Sequence, residues 1–170
     1  MFLRLRRVAA IATVTAGALA ACGVSATPPT ACPTDEMLPI MNRYVDGAVF
    51  IDTPWEPSPN TDLAAALDAG GVACAYGIQE AEVGAAILWA PGEKTYADRS
   101  VQWQIDGQRR VVIDGAEEAW ALEETNGDER HLWSLNLLVD DVWISINATF
   151  LRDLSQAEPL IDAAIAVVRG

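Results

Sequence analysis

Three cysteines, a single histidine and six tryptophans carry the most distinctive chemistry in this 170-residue chain. Cys22, Cys32 and Cys74 show no Cys-x-x-Cys spacing, and His131 has no second histidine beside it, so a zinc-type ligand set is not expected. His131 stands alone ahead of an apolar alternation and reads as a solvated or packed side chain rather than a general base. No Gly-x-Ser-x-Gly is present, and Ser100, Ser134, Ser145 and Ser155 lack an activating context. Gly70-Gly71 closes a helical segment instead of opening one, which excludes a phosphate-cradling loop there. No metal or other cofactor is expected.

Carboxylates come in pairs: Glu117-Glu118, Glu123-Glu124, Asp128-Glu129 and Asp140-Asp141. Calcium loops need oxygen ligands at alternating positions around a glycine, and none of these runs supplies them. A glycosidase needs two carboxyls across a sugar-sized cleft, a spacing that only the fold can set. Solvated turns are the simpler expectation for the acids. Among the tryptophans, Trp89, Trp120 and Trp133 sit in apolar strand patterns and read as core. Trp143 differs, because the alternation around it places it with Leu138 on an otherwise polar strand face. An indole there stacks on a sugar or docks a partner if exposed, or packs beneath a covering segment. Trp55, in a proline-rich stretch, is a candidate for that cover, and Trp143, Leu138 and Trp55 form the candidate binding patch.

The first residues give an address. Arg4, Arg6 and Arg7 precede an apolar run over residues 8–19, which is shorter than the about 20 residues of a membrane span and fits an export signal. Leu19-Ala20-Ala21-Cys22 resembles the lipobox of bacterial lipoproteins at every position. The resemblance implies cleavage before Cys22 and a thioether-linked, N-acylated lipid anchor on that residue. Multiple acyl chains make such anchorage effectively permanent. On this reading residues 1–21 are a signal peptide, 22–31 a lipidated cysteine and flexible tether, and 32–170 a single extracytoplasmic domain.

Composition narrows the partners. Three arginines and no acid fall within residues 1–21, so a chain beginning at Cys22 holds 8 basic and 24 acidic residues, a net charge of −16. That surface repels phosphate backbones, and nucleic acid is not an expected partner. With Cys22 assigned to lipid, Cys32 and Cys74 form the even pair of an exported chain, most simply a disulfide. Closing that loop stabilises a fold by roughly 4 kcal/mol in the chain-entropy model.

Positioning elements follow from periodicity. Residues 37–51 are mixed, with a first strand near 48–51. Asn60-Thr61-Asp62 offers capping side chains for a short helix that Gly70-Gly71 ends. Strands are expected over 72–78 and 83–89, the second apolar on both faces and therefore interior. Residues 95–107 fit either a helix capped by Thr95 and Asp98 or a strand through Val101, Trp103 and Ile105; the helix is favoured. Strands near 109–114 and 118–123 flank Asp114-Gly115. Asp140-Asp141 makes a two-residue hairpin turn that sets Val139 opposite Val142, with Trp133, Leu135 and Leu137 facing the core beside Ile144, Ile146 and Ala148. The other face, with Ser134, Asn136, Ser145, Asn147 and Thr149, is expected to be wet. Ser155 and Glu158 should cap a last helix whose stripe is Leu160, Ile161, Ala164, Ile165 and Val168.

The expected class is α+β, a single antiparallel sheet with helices packed on one face. Together with the lipobox, Cys32 and the Cys74-x-Tyr76 strand resemble small lipoproteins of actinobacterial type, a likeness that implies fold and location only. A non-catalytic binding module is the first functional expectation, with an envelope protein or glycan as partner. A wall-glycan hydrolase and a small solute-binding lipoprotein are the alternatives. A monomer is expected.

Overall fold

A computed structural model describes residues 25–125 and 131–170. The signal segment, Cys22 and the start of the tether lie outside the described residues, as does Asp128-Glu129. Seven strands form one open antiparallel sheet: β1 (Val49–Ile51), β2 (Val72–Ile78), β3 (Val83–Pro91), β4 (Arg109–Val111), β5 (Glu118–Thr125), β6 (His131–Val139) and β7 (Val142–Ala148). Their spatial order is β1-β2-β3-β7-β6-β5-β4, and every neighbouring pair is antiparallel. Four helices accompany the sheet: α1 (Thr34–Met41), α2 (Asp62–Asp68), α3 (Glu93–Ile105) and α4 (Glu158–Arg169). The class is α+β.

The β6–β7 hairpin has the register its alternation requires, from Val139 opposite Val142 to Trp133 opposite Ala148. Asp140 and Asp141 both take positive φ, the backbone of a type I′ turn, whose twist matches that of the flanking strands. Its apolar face joins β2 and β3 beneath α1 and α4. There Met37, Met41, Ile87, Leu135, Ile146, Leu160 and Ala164 are all fully buried. Trp89 fixes α4 to this face by donating Nε1 to the Ala164 carbonyl at 3.1 Å.

Helices cover both faces, not one as expected. α2 and α3 lie across the opposite face, where Ala66, Tyr96 and Trp103 pack with Leu88, Ala90 and Trp143. The polar alternation on β6 and β7 suggested solvent, but Asn136 and Ser145 are almost completely buried. Asn136 accepts the Trp143 indole N–H at 3.0 Å and donates to Gln108 Oε1 at 3.2 Å. Satisfied in this way, a buried amide avoids the 1–3 kcal/mol or so that an unpaired one costs.

Some local starts also differ from expectation. α1 was not legible, because Pro39 removes a helical N–H near its end and only Met37 and Met41 are fully buried. α3 begins at Glu93 after Gly92, two residues ahead of the Thr95–Asp98 box. Before α4 comes a 3-10 turn, Leu154–Ala157, in which the Ser155 hydroxyl bonds Asp153 instead of capping the helix. Cys32 and Cys74 are joined as a disulfide with Cα atoms 5.6 Å apart, tying the segment ahead of α1 to β2.

Candidate functional site

The face under α2 and α3 is best described in rows running across the strands. In the first row Ala90, Trp143 and Leu138 are paired neighbours on β3, β7 and β6. The second row runs Ala73, Leu88, Ser145, Asn136, Trp120 from β2 to β5. Every residue of both rows is buried. The third row is Ala75, Ala86, Asn147, Ser134, Leu122, and all five are only half-buried. Beyond it the fourth row places Gly77 opposite Gly84 and Leu132 opposite Glu124.

The first two rows are sealed by aromatic side chains and one carboxylate. Trp103 packs tilted against Trp143 with ring centroids 5.5 Å apart, and Tyr96 meets Trp103 edge-on at 4.9 Å. Asp62, the first residue of α2, accepts Trp103 Nε1 at 2.8 Å and Arg99 Nε at 2.6 Å, which locks α3 onto α2. Trp55 closes the margin by donating Nε1 to the Ala73 carbonyl at 2.9 Å. Burial pushes the Tyr96 phenol far above its ordinary pKa, and its hydroxyl donates to the Asn136 carbonyl. Trp120 closes the far side, held by Glu118 Oε1 at 2.8 Å and capped by the Arg110 guanidinium at 5.1 Å.

Among the described residues the third and fourth rows have no such cover. They form a trough of about 370 Å³ whose floor includes Ala75, Ala86, Gly84, Leu132 and Asn147, with Ile51 and Glu82 among its borders. Glycine is required at the deep end: a Cβ on Gly77 would stand 2.2 Å from the Val83 carbonyl oxygen, and one on Gly84 2.3 Å from that of Tyr76. Close strand approach therefore leaves the Gly77–Gly84 pair without side chains. Ser134 donates to Asn147 Oδ1 at 2.8 Å, and Asn147, Gln79, Glu82 and Thr149 are the polar residues of a mostly apolar lining.

A second hollow of about 420 Å³ adjoins the trough and shares Ile51, Ile78 and Gln79 with it. Asp52 and Glu80 lie on its lining, and among the described residues no Lys, Arg or His lines either hollow. On the other face, a crease of about 420 Å³ between the β4–β5 turn and α4 has Ile113, Leu154 and Ile161 as apolar walls. Irregular chain and helix form that crease, whereas sheet forms the trough.

The candidate patch residues are brought together, as a packed layer. Trp143 is completely buried and Leu138 7 % exposed, while half-buried Trp55 packs at the margin of the same cluster and Trp103 lies against Trp143. The other chemistry-bearing groups are dispersed. His131 Nδ1 pairs with Glu123 at 2.9 Å at the open end of β5 and β6. Glu118 pairs with Arg110, and Asp140 with Arg169 in the last turn of α4. Among the described residues no three His, Cys, Asp or Glu side chains converge as a metal site. None of their helices is long and apolar enough to cross a membrane.

Sequence reasoning missed the trough. Its signal is the run of small residues at alternating positions, Ala73, Ala75 and Gly77 on β2 with Gly84 and Ala86 on β3. The chain matches no known protein family and no curated protein.

Proposed function

We propose that this protein is an envelope lipoprotein, anchored through Cys22, that acts as a non-catalytic interaction module and recognises its partner in the trough. One observation carries the reading: a single sheet face is sealed by aromatic residues over half its length and left open, apolar and floored by alanine and glycine over the rest. An uncovered apolar surface with a few polar groups suits recognition. The Leu19–Cys22 lipobox pattern supports anchorage, and the Cys32–Cys74 disulfide fits a chain folded in an oxidising compartment.

In-cell photo-crosslinking tests this. Gln79, exposed and bordering both hollows, is replaced with p-benzoylphenylalanine, and exposed Ala166 on α4 serves as the control position. A discrete adduct from position 79 alone, lost when Cys22→Ala releases the chain from the membrane, is the expected result. No adduct, or the same adduct from position 166, overturns the trough as the recognition surface. Adducts that persist unchanged in Cys22→Ala overturn the role of anchorage.

A further inference from the structure

The trough also indicates what kind of partner fills it. This step rests on reading the trough as the recognition surface. The third row spans four strands from Ala75 to Ser134, about 14 Å at normal strand spacing. An α-helix is about 10–12 Å across with its side chains. Elsewhere the sheet is covered by helices, α1 and α4 on one face, α2 and α3 on the sealed half of the other. Alanine and glycine on the floor let a helix approach closely, whereas an added strand would occupy an edge and leave the face bare.

Charge selects among helices. Asp52 and Glu80 line the adjoining hollow at the trough's border, and Glu124 stands on the same strand face at the far side. No cationic side chain lines either hollow among the described residues, and the chain from Cys22 onward carries −16. A second copy would bring these carboxylates against their own kind, and an anionic lipid surface would be repelled. We propose that the trough receives an amphipathic helix of a partner protein, with small or aliphatic residues along its ridge and Lys or Arg on its flanks. Their long stems lie along the apolar walls while their charges reach the acidic borders.

The full chain in phosphatidylcholine nanodiscs, with empty nanodiscs subtracted, is titrated with fluorescent synthetic peptides about 18 residues long. One peptide has leucine, alanine and lysine in helical pattern. A second replaces every lysine with glutamate, and a third sets the first peptide's residues in strand alternation. Saturable binding of the first alone is expected, weakened about tenfold or more when salt screens the borders. Ala86→Arg should weaken it by at least about tenfold by filling the floor, while Ala86→Ser leaves it intact. Asp52→Asn with Glu80→Gln, both at exposed positions, should weaken it several-fold without touching the floor. Equal binding of the lysine and glutamate peptides, equal binding of the strand-patterned peptide, or no binding by any of them overturns the cationic helix. Should position 79 still capture a discrete partner in cells, that failure concerns the partner's class and leaves the trough in place.

Discussion

The two halves of the sheet face under α2 and α3 share strands, register and backbone, and differ in what stands on them. Over the sealed half the floor residues are Leu88, Trp143 and Asn136, and Trp103, Tyr96 and Trp55 rest on them. Over the open half the floor is Ala75, Ala86 and Asn147, and none of α1–α4 contributes to its lining. The large floor residues need a roof, since a solvent-exposed indole and leucine forgo roughly 1.5–3 kcal/mol each of burial. The small ones need none, so the chain can leave them open at little cost to stability. The contrast separates what holds the fold from what is free to bind.

Breaking the sealed half should have the largest effect. Trp143→Ala removes a completely buried indole and is expected to cost about 3–5 kcal/mol in urea unfolding. Trp143→Phe keeps most of the packing but strands Asn136 Oδ1, for about 1–3 kcal/mol. A Trp143→Ala protein of wild-type stability would dissolve the distinction between the halves.

Alkali tests the sealing of both faces. Burial, more than any neighbouring charge, pushes Tyr76 up to about 12 beneath α1, and Tyr96 is raised by burial on the sealed half. An unfolded tyrosine ionises near 10, so the folded state holds these protons more tightly. Their contribution is whole below pH 10 and is lost as pH climbs through 12, by roughly 2–3 kcal/mol for Tyr76 alone. Absorbance of phenolate at 295 nm should therefore rise for these two residues only as near-UV circular dichroism collapses. Full phenolate titration with the tertiary signal intact would show that the cover opens without unfolding.

Asp62→Asn weakens the clasp between α2 and α3, removing the charge that Arg99 meets while retaining an acceptor for Trp103. A loss of about 1–3 kcal/mol is expected, with faster amide exchange confined to α2 and α3. The sharpest comparison lies two residues apart on one strand. Leu88→Ala in the sealed half should cost about 2–4 kcal/mol, and Ala86→Ser in the open half less than about 0.5 kcal/mol. Equal effects would mean that the open half is covered in solution.

How much of this the residues disclose depends on the range of the interaction. The β6–β7 hairpin is legible because two alternations and a two-residue turn agree on one register, all within one local segment. The stripe on α4 is legible for the same reason: its five apolar positions are all buried, though the turn before it does not use Ser155 as a cap. What covers each face is set at long range. Asn136 and Ser145 carry the signature of a wet face, and only Gln108, Tyr96 and Trp143, distant or across the turn, make Asn136 cheap to bury. Trp143 was legible as an anomaly on that face, whereas its contact with Trp103, far off in sequence, was not. The trough was hidden because alternating alanine and glycine in a strand fit a covered close approach as well as an open floor. Its existence depends on where α2 and α3 stop.

The disulfide has a mechanical consequence. Cys74 directly precedes Ala75, the first residue of the third row, and is bonded to Cys32, ahead of α1. A pull from upstream that frees Thr27 from the Val168 carbonyl would next reach Cys32 and pass to Ala75 through one covalent shortcut. The 42-residue separation it spans, with α1, β1 and α2 inside, is excluded from the load path. A pull that would otherwise unwind α1 and strip β1 from the sheet edge is delivered to β2, which is hydrogen-bonded along its length to β3.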